Sequence, residues 1–160
     1  MSSFSEYDQF DGLGLADLVR RNEISSLEIC EEAIRRAEAL NPQINAIILP
    51  LYDLARKMAK DLKPDAPFSG VPFLLKDAHH ALKGVAMACG SEALTDFVPE
   101  HDAEIVKSYK KAGVVILGKT NTPEFKLAYV TETKAFGPTR NPWNPEYSSG
   151  GSSGGSAAAV

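Results

Sequence analysis

Behind a capping box at Ser25-Ser26-Leu27-Glu28, apolar residues return at helical spacing through Leu27, Ala33, Ile34, Ala37 and Leu40 until Asn41-Pro42 breaks the pattern. A helix is predicted between these limits. A shorter helix is predicted over Leu15 to Arg20 and another over Leu51 to Leu62, while Ile44 to Leu49 reads as a strand or extended segment. The opening third is therefore expected to be largely helical.

Pro64, Pro67 and Gly70 punctuate a turn, and Val71-Pro72-Phe73-Leu74-Leu75-Lys76 then forms the short apolar run of a buried strand with Lys76 at its far end. Asp102 is placed to cap a helix running through Ala112, with Val106 and Tyr109 on one face, and Gly113 to end it. Val114-Val115-Ile116-Leu117 is the next predicted strand, and strand, helix, strand implies a parallel unit of an α/β sheet. A further helix is predicted over Pro123 to Tyr129, followed from Ala135 through Trp143 by loop. The Gly/Ser run Ser148 to Ser156 leads into Ala157-Ala158-Ala159-Val160, which reads as the first turn of a helix cut short.

Composition narrows the class. With 160 residues, 44% apolar and 24% charged, the chain suits one soluble globular domain. Its net charge of −4 comes from 17 basic and 21 acidic residues scattered along the chain, which leaves no basic stripe for nucleic acid. Cys30 and Cys89 lack CxxC spacing, and the start MSSFSEYDQFDGLG has neither a basic nor an apolar leader region, so a reduced, cytoplasmic protein is expected. No apolar run approaches the roughly 20 residues needed to span a bilayer.

Several motifs offer chemistry, and most are better read as structure. Gly113-Val-Val-Ile-Leu-Gly118-Lys119-Thr120 matches the phosphate-loop expression GxxxxGK[ST], but its four intervening residues are β-branched or bulky and suit a strand rather than a loop wrapping phosphate. Adjacent His79 and His80 lack the spacing of a metal site, and no metal or other cofactor is expected. Cys89 reads as a small buried residue with no base beside it. The Gly/Ser run could be a flexible linker by composition, yet it joins a fixed Asn-Pro-Trp turn to an Ala-rich helix start, which suits a built loop packed closely around a reactive centre. Burial of Lys76 at the end of an apolar strand would push it toward the neutral amine, a form that can act as a base. Asp77 would oppose this unless, as strand alternation suggests, it points to the other face.

Four blocks occur in order: Gly70-Val-Pro-Phe-Leu-Leu-Lys76-Asp77, Gly118-Lys-Thr-Asn-Thr-Pro-Glu-Phe125, Phe136-Gly-Pro-Thr-Arg-Asn-Pro-Trp143 and Gly150-Gly-Ser-Ser-Gly-Gly-Ser156. Together they resemble the amidase signature family over nearly the whole chain. The resemblance implies an α/β amidase-signature fold, a mixed β-sheet core flanked by helices. Residues 1–65 would be a helical lead-in and residues 66–160 the start of the signature core, all within the N-terminal part of a single domain that ends before the sheet is complete. An unpaired sheet edge and exposed apolar face left in this way favour self-association or marginal stability, and a homodimer is among the expected assemblies.

The same resemblance implies an amidase that hydrolyses a small amide through a Ser-cisSer-Lys triad and an acyl-enzyme. Lys76 would be the base and Ser152 the bridging serine, following a cis peptide bond that Gly151 makes sterically easiest. Ser153 would hydrogen-bond near Lys76, and Lys126 and Thr131 would border the acyl pocket. The nucleophilic serine and its oxyanion hole would lie beyond Val160, so the 160 residues alone are expected to be inactive. Within the family, Asn121-Thr-Pro-Glu124 and Pro50-Leu51 look most like bacterial amidases, including those that open cyclic oligoamides of nylon type. The glutamine-hydrolysing component of the tRNA-dependent amidotransferase is the alternative, and a non-catalytic binding fragment is the alternative from another class.

Overall fold

A computed structural model describes Phe4 and residues 6–160. Helix α1, Gly12–Arg20, begins before the first periodic leucine because the Asp11 carboxylate accepts from Gly14 N at 2.8 Å and satisfies a free first-turn N–H. Helix α2, Ser26–Ile44, opens on the expected capping box, with Ser25 N donating to Glu28 Oε2 at 2.9 Å and Glu28 N to Ser25 Oγ at 3.1 Å. It does not stop at Asn41-Pro42. Pro42 falls in the last turn, where its missing N–H removes one bond, and Asn45 N still donates to Asn41 O at 2.8 Å. Asn45 then turns the chain at φ 49°, while the Asn41 amide accepts from Ile47 N at 2.7 Å and donates to Ile47 O at 2.8 Å.

Strand β1 (Ile47–Pro50), α3 (Tyr52–Asp61), β2 (Pro72–Lys76), α4 (Glu104–Ala112) and β3 (Val115–Thr120) follow close to their expected places. Gly113 ends α4 at φ +91°, where a Cβ would lie 3.0 Å from both Ala66 Cβ and Ser69 Cα. The strands order as β1-β3-β2. β1 runs antiparallel to β3, pairing Ile47 with Thr120 and Leu49 with Lys119 across an irregularity. β2 runs parallel to β3: Val115 N donates to Val71 O at 2.8 Å and Asp77 N to Thr120 O at 3.0 Å, so partner numbers rise together. The sheet is therefore mixed. Every residue of β3 is buried, as befits a central strand and not a phosphate loop.

Two further expectations need correction. Pro123 to Tyr129 is not an α-helix but a single 3₁₀ turn, Glu124–Lys126, in which Phe125 and Lys126 take φ 48° and 63°. Two successive left-handed residues cannot propagate a helix, and Phe125 N is instead drawn to Cys89 O at 2.9 Å. The stretch from Ala135 is not plain loop. β4 (Glu132–Thr133) pairs with β5 (Gly137–Pro138), and β6 (Arg140–Asn141) with β7 (Asn144–Ser148), before α5, Gly154–Ala159, closes the chain.

Contacts divide the molecule into two compact units. One comprises the described residues up to Arg36 with Leu51–Phe73 and Ser108–Leu117. Its core joins Leu15, Ala16, Val19, Ile29 and Val71, flanked by Phe10, Ile24 and Leu62. The other comprises Ala37–Pro50, Leu74–Lys107 and Gly118–Val160. Its interior is unusually polar: Lys119, Thr120, Asn121, Thr122, Thr131 and Thr139 are all wholly buried. Polar groups survive burial only when paired, and tracing their partners leads to the candidate site.

Candidate active site

Lys76 ends β2 half-buried, one residue beyond wholly buried Leu75. Its Nζ donates to Ser152 Oγ at 2.9 Å and to Ser153 Oγ at 3.0 Å. Burial first, and then the charge of Lys126, lowers the proton affinity of this amine below that of an ordinary lysine. The structure thus brings together Lys76, Ser152 and Ser153, although roughly half the chain separates the lysine from the serines.

The serines ride on a loop whose backbone is pinned at successive points. Ser149 N donates to Thr139 O at 3.1 Å, Thr131 Oγ1 donates to Gly150 O at 2.8 Å, and Thr122 Oγ1 donates to Ser152 O at 2.9 Å. The Gly151–Ser152 peptide bond is cis. Gly151 has no room for a side chain, since a Cβ would lie 3.0 Å from Tyr129 C and 3.1 Å from Ala128 O. Past the serines, Gly155 N donates to Asn121 O at 3.1 Å, and the Thr120 and Ser156 hydroxyls share a bond of 2.8 Å.

The residues of β3 and its extension, Thr120 to Thr122, therefore hold both sides of the lysine–serine contact. Thr120 O accepts from Asp77 N beside Lys76, and Thr122 Oγ1 donates to Ser152 O on the loop. Asn121 fastens the surroundings, donating from Nδ2 to Gly137 O at 3.1 Å and Thr139 Oγ1 at 3.0 Å. Each of these side chains is satisfied, so the buried network orders the loop instead of weakening it.

Thr131 is buried and turned to the Gly150 carbonyl, so its contact is with the loop backbone. Lys126 lies against His79, its Nζ touching Nε2 of that exposed ring, and its charge reaches Lys76. His80 Nδ1 meets Ala78 O at 2.8 Å, and among the described residues no cluster of three or more His, Cys, Asp or Glu side chains could hold a metal. Cys89 is half-buried at φ 52°, and burial raises its thiol pKa, which suppresses the thiolate a nucleophile needs.

The Amidase family model matches residues 28–160, which is most of the chain. The chain belongs to the amidase signature family. Among curated amidase-signature relatives, 6-aminohexanoate-cyclic-dimer hydrolase of Paenarthrobacter ureafaciens is 45% identical over 152 residues, covering 94% of this chain and 30% of that enzyme. The glutamyl-tRNA(Gln) amidotransferase A subunit of Geobacter metallireducens is 44% identical, covering 91% of this chain and 31% of that protein. A solved structure of 6-aminohexanoate cyclic dimer hydrolase complexed with substrate superposes with a TM-score of 0.90 at 44% identity, over 94% of this chain and 31% of that one. The fold is thus the amidase-signature fold, and the chain spans about 30% of the length of these relatives. Among the described residues no helix is long and apolar enough to cross a membrane.

Two contributors were not singled out from the sequence. Thr122, the fastener of Ser152, lies just beyond β3, and Lys119, a buried partner of Asp77, lies near the end of that strand, both within the polar run Lys119 to Thr122. The available signal was that continuity: polar residues that prolong a fully buried strand have to be paired inside the protein.

Proposed function

We propose that the protein is an amidase in which Lys76 is the base and Ser152 the proton relay, for a nucleophilic serine that lies beyond Val160. The observation that carries this reading is the 2.9 Å contact between Lys76 Nζ and Ser152 Oγ at a lysine whose burial favours the neutral amine. A neutral amine has two N–H donors and one lone pair. It can donate to Ser153 while accepting the Ser152 hydroxyl proton, which frees the Ser152 oxygen to accept a proton from the attacking serine. Attack on the amide carbonyl gives a tetrahedral intermediate. The protonated Lys76–Ser152 pair then returns the proton to the departing amine, and water hydrolyses the resulting acyl-enzyme through the same pair.

In this reading residues 1–160 are the N-terminal part of one amidase-signature domain, with residues 1–65 as lead-in and residues 66–160 as the start of the core. They carry base and relay without nucleophile or oxyanion hole, and are inactive by themselves. The substrate is a small linear or cyclic amide, as the name of the hydrolase relative suggests. A glutamine-hydrolysing component of an amidotransferase is the second reading, favoured by the nearly equal 44% identity to such a relative. A cytoplasmic homodimer is the assembly in which we place the enzyme, and light scattering tests the dimer.

Intact mass after treatment with a fluorophosphonate tests the mechanism. It is measured on this chain and on a protein extending it to the length of its relatives, each with Lys76→Ala and Ser152→Ala variants. One adduct on the longer protein only, lost in both variants, is the expected result. An adduct on the 160-residue chain would mean that the reactive serine lies within it. No adduct on either would remove the mechanism. Hydrolysis of 6-aminohexanoate cyclic dimer against glutamine, by the longer protein, separates the two substrate readings.

A further inference from the structure

Lys76 and Asp77 are sequence neighbours, and a carboxylate beside an amine ordinarily stabilises the ammonium. A lysine that serves as a base needs the opposite. The structure gives the two side chains separate sets of partners. Lys76 faces Ser152 and Ser153. Asp77 Oδ2 accepts from Ala88 N at 3.1 Å, the backbone N–H groups of Cys89 and Gly90 also feed the carboxylate, and Asp77 Oδ1 lies 3.7 Å from Lys119 Nζ.

Lys119 is itself spoken for. Its Nζ donates to His80 O at 3.0 Å, and the Lys119 and Asp77 side chains are only 0% and 3% exposed. A buried lysine at the end of a strand is costly unless a counter-charge meets it, and Asp77 is that counter-charge. Burial raises the Asp77 carboxyl pKa and lowers that of the Lys119 amine, each opposed by the partner's charge. Whether the shared proton sits on nitrogen or oxygen, the pair carries no net charge.

We infer that Lys119 is a positioning residue for Lys76: by pairing with Asp77, and with the backbone N–H groups of residues 88–90, it prevents that carboxylate from acting as the counter-ion of Lys76. This rests on the reading of Lys76 as the base. The groups around the two amines are few. Lys76 meets both serines and feels Lys126, which lies on His79, while Cys89 borders the Asp77–Lys119 pair. Burial and Lys126, not Asp77, set the direction in which the Lys76 amine is shifted.

The test is the pH dependence of acylation at Lys76 by an amine-reactive acetate ester, read by peptide mass spectrometry on the protein extended to the length of its relatives. Variants are Lys119→Met, Asp77→Asn and the double substitution, each checked for folding by circular dichroism. Wild-type Lys76 is expected to react with a midpoint below the ordinary lysine value of 10.5. A midpoint at or above that value would remove the base reading and this inference with it. In folded Lys119→Met, the uncovered Asp77 charge should raise the midpoint by about 1 pH unit, and the double variant should restore it. An unchanged midpoint in folded Lys119→Met overturns the inference while leaving the base reading intact. If Lys119→Met does not fold, Lys119→Gln, which removes the same cation but keeps a donor for His80 O, decides: its midpoint should also rise, and an unchanged midpoint overturns the inference. Asp77→Asn alone leaves the Lys119 cation without its counter-charge, so it should not raise the midpoint.

Discussion

Lys76 Nζ forks between Ser152 Oγ at 2.9 Å and Ser153 Oγ at 3.0 Å. The two acceptors are consecutive residues on a loop, whereas the donor ends a strand, so the fork exists only while the loop is held at a fixed height above the sheet. Thr122 and Thr131 supply that hold through the Ser152 and Gly150 carbonyls. Positioning of this kind is where a small displacement has a large effect on proton transfer.

Thr122→Val removes the hydroxyl that bonds Ser152 O while keeping the side chain's size. In the longer protein, kcat is expected to fall by about tenfold, equivalent to about 1.4 kcal/mol, with KM little changed. Thr122→Ser should retain most activity. Steady-state amide hydrolysis checks this, and equal losses in both variants would show that the hydroxyl is not what matters.

Lys126→Gln removes the cation that helps depress Lys76. The Lys76 pKa should rise toward the ordinary lysine value, so a higher pH is needed to populate the neutral base. The acid limb of kcat/KM against pH is expected to move upward. A limb that stays in place would indicate that burial alone tunes Lys76.

Gly154 and Gly155 carry α5 into contact with its surroundings at distances no side chain tolerates. A Cβ at Gly155 would lie 2.7 Å from both Ala46 O and Asn121 O, and one at Gly154 would lie 2.6 Å from Ser149 Oγ. Each glycine-to-alanine substitution is expected to cost about 1–3 kcal/mol by overpacking. Urea unfolding of the two variants measures this. The loop that bears Ser152 should become more susceptible to proteolysis at the same time.

Glu32 gives the acid limb of stability a definite source. The Arg35 guanidinium donates to it at 2.6 and 2.9 Å and Arg36 Nε at 2.8 Å, which holds its carboxyl at about 2 against an ordinary 4.5. A folded-state value below the unfolded one means that the contribution is fully present above 4.5 and is lost as pH falls from there toward 2. Glu32→Gln should lower the melting temperature at neutral pH and flatten its decline over that acidic range. A parallel decline in both proteins would assign the acid sensitivity to other carboxylates.

Local order was legible in the chain wherever a side chain's role is set by its near neighbours. The capping box of α2 and the turn at Gly113 depend on residues a few positions apart and stand as expected; the apolar run ending in Lys76 forms its strand, but of Pro72–Lys76 only Leu75 is buried. Where distant residues compete with local preference, the reading failed. Pro123 to Tyr129 had a good helix start, yet Phe125 N bonds to Cys89 O and the chain bends into left-handed conformations instead.

The sequence by itself determined that β3 is a buried strand, that Lys76 closes its neighbour, and, through four ordered blocks, that the chain is of the amidase signature family. Tertiary structure alone decided which polar residues face one another: Lys119 with Asp77, Thr122 with Ser152, and Lys76 with both serines. Hydrophobic periodicity is written along the chain because water acts on each residue separately. Hydrogen-bond partnership between residues tens of positions apart is decided only by where the packed sheet brings their backbones.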